Sequence, residues 1–295
     1  MDPSKKNRTI TALKEMLPDL SPRLQVVAKY ILDHPSDFGL DPIRKTARKS
    51  GVSTYTLVRL AEHLGFSSYD SLREPFRMAL VDTASPAPQP GWLESLGEKG
   101  EIGETQSEAV QNSLAIVSRS LEHQNPGQMA RIVDMLLGAR TVYITAVRAS
   151  YGLAYYLHYV GRMALPSMQL IPRHMNSAID ELHNATKEDV LIAITFDPYS
   201  RETVEACAFA RARGAKLILL SDSEVISAAF QPDEVMLVTV LSPHHFACYS
   251  GATAVIETLV SHLVKQGGPD AMARINSYET LRNNTNAYST PPKKH

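Results

Sequence analysis

The sequence of 295 residues predicts two domains of different fold class, joined by a short linker. Residues 1–81 should form an all-α helix-turn-helix domain, because their apolar residues recur only at helical spacing. Residues 92–282 should form an α/β doubly wound domain with a roughly five-stranded parallel sheet, because short apolar runs alternate there with helical segments. Residues 82–91 are rich in Pro, Ala and Ser, which is typical of an extended linker. Residues 283–295 should be a disordered tail.

The prediction for the first domain depends on residues 42–64, which have the pattern of two short helices separated by a tight turn. Gly51 interrupts the helical pattern where a sharp turn needs a residue that tolerates positive φ. Ser53 follows as an N-cap, and Leu57, Leu60 and Leu64 then recur on one helical face. This arrangement is typical of a helix-turn-helix motif. Further helices are predicted on both sides of it, at residues 10–17, from Pro22 to His34, and at 69–80.

The face opposite those leucines carries hydroxyl, imidazole and guanidinium groups, which can bond to phosphates and base edges of DNA. The charge distribution also favours DNA binding by this part of the chain. Residues 1–80 hold 13 Lys and Arg against 9 Asp and Glu, whereas the remainder holds 17 against 22. The alternatives are an ordinary helical hairpin and a solvated basic surface. The candidate DNA-binding residues are Arg44, Lys45, Ser53, Thr54, Tyr55, Thr56, Arg59 and His63.

Two segments, LSPRLQVVAKYILDHPSDF and ARKSGVSTYTLVRLAEHLGFSSYDSLR, carry a family resemblance. They resemble the N-terminal domain of RpiR-type bacterial transcriptional regulators, over about residues 8 to 80. The resemblance implies a helix-turn-helix that binds double-stranded operator DNA. The positions that match the family's motif include Ala47, Gly51, Val52, Ser53, Thr56, Arg59, Leu64, Gly65 and Phe66.

The second domain is predicted from apolar runs that lack period-two alternation, as in strands buried on both faces of a parallel sheet. The predicted strands cover residues 141–146, 167–171, 190–196, 216–220 and 235–241. The predicted helices cover residues 102–121, 129–137, 151–160, 176–183, 200–213 and 251–264.

Two loops of this domain are candidates for a ligand site. Residues 145–150 (TAVRAS) follow the first strand, and residues 195–203 (TFDPYSRET) follow the third. Ligands of doubly wound sheets bind at the carboxyl ends of the strands, where helix N-termini favour anions. We therefore expect a small anionic metabolite to bind at these loops.

This half of the chain resembles the sugar isomerase, or SIS, domain that follows the helix-turn-helix in RpiR-type regulators. In that family the two loops typically read G-x-G-x-S and S-x-S-G-x-T, and they hold the phosphate of a phosphorylated sugar. By position, Ser150, Ser200 and Thr203 match the hydroxyl residues of these loops. Arg148 and Arg201 stand where the family prefers glycines, and they can replace amide contacts with a guanidinium. The alternative is that both arginines make surface ion pairs in a pocket that has lost its ligand.

His244 and Ser250 are further candidates for effector contacts, because they lie between the last strand and the last predicted helix. An isomerase on the SIS fold is the alternative function, and its base would have to be Glu257, His244 or His245. No paired acid and base can be assigned from spacing. We therefore expect a regulator without enzymatic activity, either effector-controlled or with a degenerate pocket.

Composition restricts the remaining possibilities. The only cysteines, Cys207 and Cys248, show no metal-like spacing, so no metal, disulfide or cofactor is expected. No apolar run approaches the roughly 20 residues of a membrane span, which predicts a soluble cytoplasmic protein without a membrane partner. A single helix-turn-helix makes few base contacts, so we expect self-association into a dimer or tetramer through the SIS-like domain.

Overall fold

The computed structural model describes residues 4–81, 91–174, 177–244 and 246–288. The chain divides into two compact units. The first comprises Met1–Lys99 with Ser223–Gln231, and the second comprises Gly100–Asp222 with Pro232–His295. The predicted linker, apart from Gly91, lies outside the described residues.

The described N-terminal part of the first unit is helical, as the sequence predicts. Its core consists of apolar side chains from successive helices, among them Leu24, Ile31, Phe38, Leu57 and Phe76. The helices are α1 (Ser4–Met16), α2 (Pro22–Asp33), α3 (Pro35–Leu40), α4 (Ile43–Ser50), α5 (Thr54–His63), α6 (Tyr69–Val81) and α7 (Gly91–Gly97).

The turn between α4 and α5 has the predicted local structure. Gly51 ends α4 with φ 70°, a left-handed conformation that residues with a Cβ adopt at a cost. Ser53 caps α5 by accepting a hydrogen bond from the Thr56 backbone N–H at 3.2 Å. Leu57 and Leu60 are buried, so α5 packs through the predicted leucine face. The structure thus contains the helix-turn-helix.

The second unit begins with two helices and continues as alternating strands and helices. These elements are α8 (Gly100–Glu122), α9 (Pro126–Leu137), β1 (Val142–Thr145), α10 (Tyr151–Ala164), β2 (Met168–Ile171), α11 (Ala178–Leu182), β3 (Val190–Ile194), α12 (Arg201–Ala212), β4 (Lys216–Ser221), β5 (Glu234–Leu237), α13 (Ser250–Gln266) and α14 (Gly268–Asn284).

The five strands form one parallel sheet in the order β2-β1-β3-β4-β5. All residues of β1 and β3 are buried, which is why their sequences are continuous apolar runs. The prediction of about five parallel strands is confirmed.

The helices α3, α7 and α14 have no counterpart in the sequence prediction. The sequence predicts a helix end at Pro35, but this proline occupies the first turn of α3, where its missing N–H costs nothing. The helices α7 and α14 bury only Leu93 and Ala271 respectively, so they lack the apolar face that reveals a helix in sequence. Helix α14 continues to Asn284, two residues into the segment predicted to be disordered, and residues 289–295 lie outside the described part.

The contact between α8 and α13 requires a glycine. A Cβ at Gly251 would clash with Ser120 Oγ and lie 2.9 Å from the Ile116 carbonyl oxygen. The same Ser120 hydroxyl accepts a hydrogen bond from the Thr239 N–H at 3.0 Å, so it cannot turn away without a loss. The first turn of α13 is therefore fixed against α8.

Gly251→Ala should lower the free energy of unfolding by about 1–3 kcal/mol, because the new methyl group forces α8 and α13 apart. Urea denaturation of the full-length protein measures this change. The matched control is Gly152→Ala in α10, where a Cβ would meet nothing within 4 Å. If both substitutions had the same effect, the close contact would not be the cause.

Candidate functional site

The second helix of the helix-turn-helix presents polar side chains away from the core. Thr54, Arg59 and His63 are exposed, and Tyr55 is 69% exposed. His63 Nδ1 lies 2.8 Å from the carbonyl oxygen of Arg59, which orients the ring along the helix. This face presents a hydroxyl, a phenol, a guanidinium and an imidazole to the surroundings.

Thr56 does not belong to that face, contrary to the prediction. It is 9% exposed, and its hydroxyl lies 2.9 Å from Ser53 Oγ. Because Ser53 also accepts from the Thr56 N–H, the two side chains form the N-terminal cap of α5. Both hydroxyls are therefore engaged in capping this helix.

The basic residues of α4 fall into two groups. Lys45 and Lys49 both bond to the buried carboxylate of Asp41 at 2.7 Å, and Lys49 also bonds to Asp37 at 2.6 Å. Burial raises the pKa of Asp41, but the hydrogen bonds from the two lysines outweigh burial and hold that pKa below its ordinary value. The lysines thus neutralise carboxylates of their own unit.

The arginines of this region form the other group. Arg44, Arg48 and Arg59 are exposed, and their guanidinium groups make no hydrogen bond or ion pair with any residue that the structure describes. Their guanidinium groups are available to an external anion. Arg48 was not among the predicted binding residues, although it lies in the same helix as Arg44 and Lys45.

In the second unit, the carboxyl ends of β1 and β3 lie side by side. These strands are neighbours in the sheet, and Thr145 at the end of β1 pairs with Ala193 near the end of β3. From β1 the chain continues through α10 to β2, which pairs with one edge of β1, whereas β3 pairs with the other edge of β1. Such a switch point opens a crevice that commonly binds ligands. Both predicted loops leave the sheet here.

Tyr249, directly before α13, connects these loops to a third segment. Its hydroxyl lies 3.5 Å from Ser150 Oγ of the first loop, and its ring centre lies 5.1 Å from that of Phe196 in the second. Tyr249 is not among the residues predicted from the sequence, because a tyrosine before a helix gives no signal of its own. Its ring makes one wall of the crevice aromatic.

Three helices begin at this edge without a side-chain cap. They are α10, α12 and α13, which follow β1, β3 and β5. By contrast, Asn125 caps α9 and Ser177 caps α11. Uncapped first-turn N–H groups and the positive ends of helix dipoles favour an anion.

Thr203 and Ser200 lie in the first turn and at the N-cap of α12. Thr203 is 1% exposed, and its hydroxyl has no hydrogen-bond partner in the described structure. A buried hydroxyl without a protein partner is costly, so this group is available to bond to a ligand at the N-terminus of α12. The Ser200 hydroxyl makes one long hydrogen bond of 3.5 Å to Glu202.

The two predicted effector-binding arginines differ in their surroundings. Arg148 has φ 56°, so the chain takes a left-handed conformation without a glycine. It is exposed and unpaired among the described residues, so its guanidinium can reach an anion. Arg201 is 90% exposed and pairs with Glu205 at 2.7 Å along α12. Arg201 therefore forms a surface ion pair, the alternative considered for it.

The remaining candidate residues, for effector binding or for catalysis, make contacts of their own within the chain. The Ser250 hydroxyl lies 3.4 Å from Cys248 Sγ. His244 is exposed and accepts a hydrogen bond from the Phe246 N–H at 3.1 Å. His245 lies outside the described residues. Glu257 accepts a short hydrogen bond from the Tyr156 phenol, so this carboxylate is already engaged.

The described residues contain neither a metal cluster nor a membrane span. Nowhere among them do three or more His, Cys, Asp or Glu side chains gather as a metal site would require. No helix in this part of the chain has both the length and the apolar character needed to cross a bilayer.

Comparison with known families identifies the second unit. Residues 135–264 match the family model of the SIS domain. This part of the chain is a SIS domain. The matched range includes the whole sheet and both loops of the crevice, so the crevice belongs to the SIS domain.

Curated relatives of two kinds align with the chain. The bifunctional protein glk of Paraburkholderia xenovorans is 26% identical over 216 residues, which cover 72% of this chain and 32% of the relative. The chain thus spans about a third of that protein's length. The uncharacterized HTH-type transcriptional regulator YbbH of Bacillus subtilis is 24% identical over 233 residues, 76% of each chain.

Solved structures share the fold. NanR of Vibrio vulnificus, complexed with ManNAc-6P, aligns with a TM-score of 0.56 and 19% identity over 94% of this chain and 98% of that one. The sugar isomerase domain of an RpiR transcription factor from Sphaerobacter thermophilus has a TM-score of 0.57 and 20% identity, over 60% and 99% respectively.

Cys248 should react with a thiol reagent far faster than Cys207. Burial raises the pKa of Cys248, but hydrogen bonds from Ser250 and Ser113 outweigh burial and lower it below its ordinary value. Burial raises the pKa of the Cys207 thiol to about 12. More thiolate at neutral pH means faster alkylation. Iodoacetamide labelling followed by peptide mass spectrometry measures both rates, and equal rates in the folded protein would contradict these environments.

Proposed function

We propose that this protein is a transcriptional regulator of sugar or related carbon metabolism. The first unit binds double-stranded operator DNA through α4 and α5. The SIS domain binds a small anionic effector, in the first instance a phosphorylated sugar. Two comparisons support this proposal: YbbH is named as an HTH-type regulator, and the NanR structure contains ManNAc-6P.

The DNA-binding part of the proposal is carried by the exposed face of α5. Thr54 and Tyr55 lie in its first turn, the part of a recognition helix that contacts base edges. Arg44, Arg48 and Arg59 bind phosphates, because no carboxylate of the described structure competes for them. Lys45 contributes less than its charge suggests, since Asp41 already holds it.

The effector part of the proposal is carried by the unpartnered Thr203 hydroxyl at the N-terminus of α12. The phosphate accepts hydrogen bonds from this hydroxyl, from Ser150 and Ser200, and from the N–H groups of the uncapped helices. Arg148 adds a guanidinium that bonds to two anionic oxygens at once. A carboxylate satisfies the same groups, so dicarboxylates must be compared with sugar phosphates as ligands.

We further propose that two copies of the chain bind one operator. A single helix-turn-helix makes too few contacts for tight specific binding, and a two-fold dimer reads two half-sites about one helical turn apart. Effector binding shifts the dimer between DNA-binding and non-binding arrangements. Turnover of a pentose or hexose phosphate by the purified protein would instead favour a SIS-fold isomerase.

Arg59→Ala should weaken operator binding and reduce the salt dependence of the affinity by about one phosphate contact. The loss should be similar for specific and unrelated sequences, because a phosphate contact carries no sequence information. Fluorescence anisotropy at several salt concentrations measures both quantities. The matched control is Arg77→Ala in α6, which removes the same charge where Glu74 already pairs with it.

Tyr55→Ala and Thr54→Ala should change the preferred sequence rather than the salt dependence, because these residues contact base edges. Sequence selection from a randomised DNA library gives the preference of each variant. Unchanged preference and affinity for both variants would exclude α5 as the recognition helix.

Thr203→Val should abolish most of the stabilisation by the effector without destabilising the free protein. Valine keeps the shape of threonine and removes a hydroxyl that has no partner among the described residues, so the melting temperature without ligand should hold or rise. A ligand at 100 times its Kd stabilises wild type by about 2.7 kcal/mol, which a thermal melt detects. The panel contains ManNAc-6P, other sugar phosphates, the unphosphorylated sugars and dicarboxylates.

Arg148→Gly extends the same experiment. Glycine adopts the left-handed conformation freely, so the variant removes the guanidinium while the loop backbone remains. The ligand-induced shift should fall, whereas the matched control Arg201→Ala should retain it because Arg201 pairs with Glu205. A full ligand response in both Thr203→Val and Arg148→Gly would exclude this crevice as the effector site.

A further inference from the structure

Helix α10 carries two exposed tyrosines and an arginine along one face. Tyr155 is 53% exposed and Tyr159 is 36% exposed. Their rings stack with centres 6.2 Å apart and planes inclined by only 17°. The guanidinium of Arg162 lies over the Tyr159 ring, 5.6 Å from its centre. Because the three positions are four and three residues apart, their side chains form a row about 10 Å long on the helix.

Arg282 of α14 reaches this row from the neighbouring helix. Its Nη2 lies 3.4 Å from the Tyr159 hydroxyl oxygen and 3.5 Å from Met163 Sδ. The same guanidinium lies 5.9 Å from the centre of the Tyr288 ring. Two guanidinium groups therefore contact Tyr159, one over its ring and one at its hydroxyl. We call the following four residues the tyrosine–arginine surface: Tyr155, Tyr159, Arg162 and Arg282.

The charges of the two arginines are not neutralised within the described part of the chain. Neither guanidinium pairs with a carboxylate there, and Glu279, three residues before Arg282, makes no ion pair with it. Arg162 Nε is buried without a hydrogen-bond partner among the described residues. The pKa of His158 is lowered first by burial and then by the charge of Arg162. A guanidinium stacked on an aromatic ring still directs its N–H groups outwards in its own plane, where they can donate to an anion.

We propose that the tyrosine–arginine surface binds a nucleotide. The base stacks on the exposed ring of Tyr155, and the phosphate accepts hydrogen bonds from Arg162 and Arg282. Stacking tolerates any base, because every base has a π-face. The forked guanidinium matches the geometry of phosphate oxygens. A ligand without a planar ring satisfies only the arginines, and an unphosphorylated nucleoside satisfies only the tyrosines.

This surface lies away from the crevice. Helix α10 begins after β1, at the edge of the sheet where the crevice opens, and ends before β2, at the opposite edge of the parallel sheet. Arg162 follows Ser150 by a distance of about 18 Å along the helix axis. Nucleotide binding here does not require the crevice, so a variant at Thr203 separates the two sites.

Isothermal titration of the full-length protein with AMP, ADP and GMP tests the site. Each nucleotide should bind more tightly than adenosine or inorganic phosphate, because only a nucleotide satisfies both halves of the surface. Arg162→Gln and Arg282→Gln should each weaken nucleotide binding by about tenfold, since each removes a charge-assisted hydrogen bond. Tyr155→Ala should weaken it by at least about fivefold through the loss of stacking.

Three further variants serve as controls. Arg162→Lys keeps the charge but loses the planar fork, so it should retain part of the affinity. Arg201→Gln removes a guanidinium that pairs with Glu205, and it should bind nucleotides like wild type. Thr203→Val should do the same, because its hydroxyl belongs to the crevice. Thermal melts without ligand show whether each variant is folded.

Three results would overturn the proposal. The first is that wild type binds none of the nucleotides. The second is that Thr203→Val loses nucleotide binding while Arg162→Gln and Arg282→Gln keep it, which would place the nucleotide in the crevice. The third is that Tyr155→Ala lowers the mass of the protein in solution, because a second copy of the chain would then cover the tyrosine rings. Operator and sugar-phosphate binding by wild type report separately on the proposed function.

Discussion

The parallel pairing of β1 with β3 is the constraint on which the proposed effector site depends. Thr145 lies opposite Ala193, so the loops after both strands leave the sheet at the same level. Slipping this register would expose apolar side chains of strands that are buried throughout, at about 1.5–3 kcal/mol for each one. The core thereby holds two loops from distant parts of the sequence in one crevice.

The same sheet explains why the fold of the second unit could be predicted well from sequence. A strand buried on both faces must be a continuous apolar run, and 190–194 (VLIAI) is such a run. Gly51 was likewise predictable, because the turn between α4 and α5 needs a left-handed backbone conformation at this position. Where one interaction determines a residue, the sequence reveals it.

Other features depend on contacts that no local pattern shows. The hydroxyl of Thr56 bonds to Ser53 at the N-terminal cap of α5 and does not point to solvent. Threonine side chains can make such local hydrogen bonds, and the helical pattern does not reveal which choice is made. Lys45 and Lys49 look the same in sequence as the neighbouring arginines, yet Asp41 holds both lysines. Tyr249 is distant in sequence from Ser150, and only the fold brings the two hydroxyl groups together in the crevice. The DNA-binding surface and the crevice were therefore predicted in outline, and their individual residues only in part.

The backbone conformation at Arg148 is not determined by the type of residue at that position. The chain keeps φ 56° there although arginine gains nothing from that conformation, so the strand before it and the helix after it must impose the geometry. A single substitution between arginine and glycine therefore exchanges a mobile cation for accessible backbone amides, with no other change in the loop. Among chains with this loop, the kind of anion recognised can diverge one residue at a time while the fold stays the same.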